Sequence, residues 1–419
     1  MRNTVSTAAC FGMLCVMLLS VTAGSSDVNL KTAMWIAAGP EVDQTQAIFD
    51  TYMAANPGVK LELLYQSYSG YHDKMLTLAA GGVAPDVMVI SRIFVPPFAE
   101  NGVIQPVDRW IARDRLNLQR DVTEIASGTW NGKVYGIPIW GGPFIFYYNV
   151  DMFSTLGLPQ PSDLSRRNDW TWDRLIELGK KITRDTDGNG VKDVFAVPAP
   201  TYWEAYWYTF IRTFGGDMIQ NNRVVVDSPE ATRGLQLFAD MRWTHHIAAQ
   251  PGEPSSFVRG TQALDHQWVS EAPNIYNSIR NTFTIDMVTM PSGPAGRFHT
   301  AGGCPVCVSS SSQFPEEAYK FATWFAMYSD EWRLRGIPAS MNTTRREYRE
   351  YLGQFFASPD ALIEALSGPT AIEPSVHPQI SQLQSAWKPI FNTLIAGRIS
   401  GTEAAAQLAR STNAVLGTK

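Results

Sequence analysis

The sequence predicts an α/β protein built from two compact lobes, and three observations carry that expectation. Its 419 residues are too many for one ordinary domain and suit two units of common size. Hydrophobic residues make up 45% and charged residues 17%, a balance that fills a large globular core. After the first residues, strand-like and helix-like patterns then alternate in a regular way over the N-terminal part of the chain, as they do where parallel strands are joined through covering helices.

The first pattern, Leu30 to Ala37, reads as a strand that Gly39 and Pro40 interrupt. Thr45, Ile48, Phe49, Tyr52 and Met53 recur at helical spacing until Asn56-Pro57-Gly58 ends the helix. Val59, Leu61 and Leu63 alternate as a half-buried strand, Tyr71 to Ala80 reads as a second helix, and Asp86 to Ile90 has the short apolar form of a buried parallel strand. Such a βαβαβ unit holds ligands at the carboxyl ends of its strands, so the loops after Trp35, Tyr65 and Ile90 are binding candidates. Farther on, Gly132 to Asn149 is rich in aromatics and broken by Gly141-Gly142-Pro143. Helices are predicted around Trp172 to Ile182, Tyr206 to Phe214 and Pro229 to Trp243, which implies a second α/β lobe. Ser228-Pro229-Glu230 and the stretch Ser312 to Glu317 carry helix-start chemistry, and the last third is mostly helical.

At the N-terminus Arg2 precedes an apolar run from Ala8 to Leu19, followed by small residues up to Ala23. This reads as a secretory signal peptide over residues 1–23, cleaved after Ala23, because the run is shorter than the ~20 residues a membrane-spanning helix needs. Cys10 and Cys15 lie inside the apolar run without the leucine-led box of a lipidated cysteine, so a soluble periplasmic protein without a membrane span is expected. Export leaves 33 basic against 39 acidic residues, a net charge of −6. That balance repels phosphate backbones, and no basic stripe compensates it, so nucleic acid is not an expected partner. The remaining cysteines, Cys304 and Cys307, sit on a strand pattern that points them to opposite faces. A disulfide between them is geometrically poor, no second pair or nearby His completes a zinc site, and two buried thiols acting as small hydrophobes are expected.

An ordered series of segments now acquires meaning: AANPGVKLELL, GYHDKMLTLAAGGVAPDVMVI, FAENGVIQPVD, NGKVYGIPIWGGPFIFYYNVDMF, WTWDRLIELGKKI, FGGDMI with VVVDSPEATRGLQLFADM, MPSGPAGRFHTAGG, PEEAYKFATWFA and GIPAS. In this order the chain resembles the family 1 extracellular solute-binding proteins, the maltose-binding type among them. The resemblance implies a two-lobe periplasmic-binding-protein type II fold with a hinge and central cleft. It also implies lobes of residues 27–138 plus 300–336 and of residues 139–299 plus 337–419. A monomer would close on a small-molecule carbohydrate and present it to the permease subunits of an ABC transporter, with no cofactor required.

The same resemblance places Trp268, at the end of RGTQALDHQW, where relatives carry a ligand-stacking ring, and Trp387, in LQSAWKPIF, where the C-terminal region supplies another or packs a helix. Trp140 lies in the implied crossing between lobes beside two glycines, with a core role as the alternative. Of Trp203, Tyr206 and Trp207, helical spacing lets at least one face the cleft while the rest pack inside. Polar partners for sugar hydroxyls are sought at strand ends: Glu41 and Asp43, Tyr68, and Ser91 with Arg92, each against the alternative of a solvated surface group. The family pattern carries an Asp shortly after the third strand; Ser91-Arg92-Ile93 departs from it and leaves an anionic sugar open.

A separate loop, DTDGNGVKD, sets Asp185, Asp187, Asn189, Val191 and Asp193 at the spacing of a calcium loop, with Gly190 at its turn. Ala196 stands where a bidentate Glu is expected, so a structural Ca²⁺ and a self-capping polar turn both remain readings of it. Catalysis is not expected: no GxSxG, HExxH or carboxylate pair appears in a catalytic context. A carbohydrate receptor without a transport role is the alternative, and an exported glycoside-active enzyme the more remote one.

Overall fold

The computed structural model describes residues 28–36, 38–140, 142–220, 223–279, 282–300, 302–335, 337–367, 370–371 and 376–417. The expected signal peptide lies outside them. Strand β1 (Val28–Trp35) leads into helix α1 (Pro40–Ala55), strand β2 (Val59–Gln66), helix α2 (Tyr71–Ala80) and strand β3 (Val87–Val89). Proline at the first helical position and the acids Glu41 and Asp43 in the first turn suit the α1 N-terminus, where the missing N–H is harmless and the helix dipole favours negative charge.

The chain continues through β4 (Gly136–Ile139), β5 (Phe144–Asn149), α3 (Trp172–Ile182), α4 (Glu204–Thr213), α5 (Pro229–Trp243), β6 (Leu264–Trp268), β7 (Ile285–Val288), β8 (Cys304–Val308), α6 (Pro315–Met327), α7 (Ile380–Ile395) and α8 (Gly401–Leu416). Several starts show the local chemistry that sets them. Thr171 accepts from the Arg174 amide, Ser228 from that of Ala231, and Ser400 with Glu403 forms a complete capping box. Ser312 differs from its expected role. Its hydroxyl bonds Asp86 and the Phe314 amide, and α6 begins only at Pro315.

Two sheets organise the molecule. The larger has the order β2-β1-β3-β8-β4, with β1 parallel to β2 and β3 and with β8 antiparallel to both its neighbours. Its two faces bury Leu30, Met34, Phe49, Val89 and Phe325 on one side and Ala33, Tyr71, Met88 and Phe98 on the other. The smaller sheet is β6-β5-β7, antiparallel throughout. Every residue of β5 is buried, because Phe144, Phe146 and Tyr148 face a core with α3, α4, α5, α7 and α8 while Ile145 and Tyr147 face a second one with Tyr348 and Leu362. That explains an uninterrupted aromatic run where one wetted face would have produced alternation. The chain passes from β4 of the larger sheet to β5 of the smaller one and returns to the larger sheet at β8.

On β8 the cysteines stand three residues apart, and the strand's period of two sends Cys307 into the core with Tyr71 and Phe98, where burial raises its thiol pKa far above the usual range. Cys304 corrects the expectation of two buried thiols. It is half-buried on the opposite face, at the end of the strand that meets the cleft.

Candidate ligand-binding cleft

A cleft of about 560 Å³ opens where the ends of the two sheets meet, within the roughly 300–1,000 Å³ range of small-molecule sites. One wall comes from the larger sheet. Trp35 closes β1, Tyr68 follows β2, Ser91 and Arg92 follow β3, Trp140 follows β4, and Cys304 opens the antiparallel β8, so all stand at one end of the sheet. The Trp35 ring meets Tyr68 at 5.4 Å and Trp140 at 5.2 Å, both edge-on. Trp140 has a φ of 56°, a conformation that non-glycine residues seldom adopt, and its indole N–H donates to the buried carboxylate of Glu331.

Behind this wall His72 accepts the Ser91 amide on Nε2 at 3.0 Å and stacks on Phe94 at 4.0 Å. Burial lowers its pKa to about 3, so it is a neutral ring that fixes the loop without adding charge. Arg92, only 5% exposed, reaches across the cleft to place its guanidinium carbon 4.9 Å from the centre of the Trp268 ring, a cation–π distance.

The opposite wall begins at the end of β6. Trp268 and Trp203 are half-buried, 6.3 Å apart at 78°, and both rest edge-on against Phe144, at 5.0 and 4.9 Å. Beneath them His266 lies stacked on Tyr206 at 3.6 Å, its pKa lowered to about 3 by burial. The shelf under the tryptophans is therefore uncharged at neutral pH. At the start of α4, Glu204 accepts from Gln384 at 3.0 Å and from the Tyr202 hydroxyl at 3.4 Å, and Glu271 joins it as a second carboxylate of this wall. Gly302 forms the floor: a Cβ there would stand 2.4 Å from the Trp268 ring, so only glycine lets the backbone and the indole touch.

The structure thus brings Trp268, Trp140, Arg92, Ser91, Trp203 and Tyr68 to one cleft and leaves three nominated residues elsewhere. Trp387 is fully buried on α7, donates its N–H to Thr412 at 2.7 Å and meets Trp207 edge-on, because its helix packs that face against α8. It is a core residue. Glu41 and Asp43 do not line the cleft, since α1 starts at Pro40 and takes them into its first turn. Of the aromatic cluster, Trp203 faces the cleft while Tyr206 and Trp207 are buried, Trp207 stacked on Phe391 at 4.2 Å.

Trp35, Tyr202, Glu204, Ser270, Glu271, Gln384 and Gly302 were not singled out from sequence. Trp35 carried a usable signal, as the last residue of a strand whose following loop was already suspect. Gln384 carried none, being one more polar position on a long helix.

In the separate acidic loop, carboxylate oxygens of Asp185, Asp187 and Asp193 lie within 4.8 Å of one another. They are already engaged by the turn itself: Asp185 accepts the Gly188 and Gly190 amides at 2.8 and 2.7 Å, Asp187 that of Asn189 at 3.1 Å, and Asp193 that of Thr186 at 3.0 Å. Asn189 in turn accepts the amide of Val191 at 2.7 Å.

A two-lobed α/β molecule with an aromatic cleft at the junction of its sheets is a ligand clamp, a class that holds solutes between moving walls. Residues 38–328 match the model of the bacterial extracellular solute-binding proteins, and the chain belongs to that family. It is 23% identical to a putative binding protein of Brucella abortus over 77% of each chain. It is likewise 23% identical to the maltotriose-binding protein of Pyrococcus abyssi over 70% of this chain and 62% of that one. An ABC substrate-binding protein of Listeria monocytogenes solved with cycloalternan shares the fold with a TM-score of 0.77 at 19% identity, covering 94% of this chain and all of the other. The sugar-binding protein MalE of Xanthomonas citri does so with 0.78 at 16%, over 93% and 98%. Among the described residues no helix is long and apolar enough to cross a membrane.

Proposed function

We propose that the protein captures a neutral carbohydrate of at least two rings outside the cytoplasm, as a monomer freed of residues 1–23, and delivers it unaltered to an ABC permease. The observation that carries this reading is the pairing of tryptophans across one cleft, Trp35 and Trp140 on one wall against Trp203 and Trp268 on the other. Indole faces match the C–H faces of sugar rings, and two such walls serve more than one ring. Glu204, Glu271 and Gln384 offer the hydrogen-bonding groups that hydroxyls need. Arg92, the cation among the lining residues, lies over Trp268 and within electrostatic reach of Glu124. The names of the relatives, maltotriose- and arabinooligosaccharide-binding proteins and a structure with cycloalternan, support an oligosaccharide. Neither a cofactor nor a bond-breaking step enters the reading.

A thermal-shift panel of neutral oligosaccharides, uronates, amino acids and peptides tests it, since a ligand of the folded state alone raises the melting temperature by mass action. A neutral di- or oligosaccharide should give the largest rise, with a more compact particle in small-angle scattering. A rise confined to amino acids or peptides would overturn the proposal.

A further inference from the structure

Glu124 stands where the two chain crossings pass the cleft, and its carboxylate reaches both. It accepts the Gly302 amide at 3.2 Å, and the Gly142 amide lies close enough to favour its charged form. Ser127 accepts the next amide, Gly303, at 3.2 Å. Neither crossing glycine has room for a side chain. Gly142 has a φ of 81° and Ile337 and Val269 within 3.4 Å of a virtual Cβ, while Gly302 carries the Trp268 ring. Glu124 itself has a φ of 50°, an uncommon backbone for a non-glycine residue and one of the kind found where surrounding structure dictates it.

We propose that Glu124 is a positioning residue for solute capture, tying the two crossings together and thereby fixing the Trp268 seat and the spacing of the cleft walls. The inference rests on the capture reading above. An ionised carboxylate offers acceptor oxygens to both amides, whereas a carboxylic acid keeps one good acceptor and turns a donor toward an amide N–H. Desolvation pushes the Glu124 pKa up to about 7, against the opposing pull of the two amides and of Arg92. The charged group that bears on it from a neighbouring element is Arg92, after β3.

The sign separates this role from a structural one. Because the folded-state pKa is raised above that of a free Glu, the group binds protons more tightly in the native chain, so its own contribution to stability improves as pH falls from about 7 toward 4.5. Loss of one tie over the same fall weakens capture. Affinity and stability therefore move in opposite directions through this one group.

The experiment compares wild type with Glu124→Gln, an uncharged mimic of the acid form, from pH 5.5 to 8. Hydrogen exchange of ligand-free protein is read at Gly142 and Gly302 after correction for intrinsic rates. Affinity is read for the carbohydrate that gives the largest thermal shift. Wild type should lose protection at both glycines on acidification and bind roughly tenfold more weakly, the loss of one charge-assisted hydrogen bond. Glu124→Gln should show the weakened state throughout, without pH dependence. Unchanged exchange in the variant, or an unchanged affinity profile, overturns the role of Glu124. If the variant does not fold, the wild-type pH series decides, since the model requires both glycines to respond together near pH 7. If no carbohydrate binds wild type, it is the capture reading that fails, and the exchange data still report whether the tie exists.

Discussion

The aromatic residues of the smaller-sheet lobe divide into a shelf and a core. On the shelf, Trp203 and Trp268 stand half-exposed over Phe144, next to carboxylates and the guanidinium of Arg92. In the core, Trp207 and Trp387 are fully buried, with Phe391 stacked on the first and Thr412 accepting from the second. The side chain is the same in both regions. The difference lies in what faces it: shelf rings sit at one end of the smaller sheet and meet the other lobe across a gap, while core rings pack among helices α4, α7 and α8. A ring with one open face can exchange water for a sugar. An enclosed ring can only hold the fold.

The largest effect that tests this contrast is on stability. Trp387→Ala should lower unfolding free energy by about 3–5 kcal/mol through the cavity it leaves, with affinity unchanged in whatever fraction folds. Chemical denaturation beside binding titration checks it, and a variant of normal stability but weak binding would move Trp387 out of the core.

Trp268→Ala should do the reverse. Losing a stacked ring contact costs about 1–3 kcal/mol by analogy with base stacking, so carbohydrate affinity should fall by one to two powers of ten while the melting temperature stays close to wild type. A large loss of stability with affinity intact would place Trp268 in the core and close the shelf.

The smallest effect concerns the acidic loop, remote from both regions. Its carboxylates are committed to turn amides, so chelator or added Ca²⁺ should change stability by less than about 0.5 kcal/mol, the usual range for a surface site. A melting shift of several degrees would make the loop an ion site.

Much of the fold was legible in the residues because short-range patterns carried it. Period-two alternation marked β2, the Asn56-Pro57-Gly58 stop marked the end of α1, and the short apolar run after Pro85 marked β3. The order of nine family-like segments led to the family that the comparison shows. For the cleft, strand-end logic led to Tyr68, Ser91 and Arg92, which the structure places on its wall. The same logic misplaced Glu41 and Asp43, because α1 starts immediately and turns them into helix-dipole partners.

By itself the sequence determined which segments are strands and helices and which strand ends are available to a ligand, since local periodicity and turn chemistry act over a few residues. Only the tertiary structure decided which aromatics line the cleft. It packed α7 so that Trp387 faces α8 while Gln384 on the same helix reaches Glu204. It also brought Glu124 to amides of two distant crossings and set Gly302 beneath Trp268. Those contacts join residues far apart in the chain, and no pattern confined to one segment records which of its faces another segment will cover.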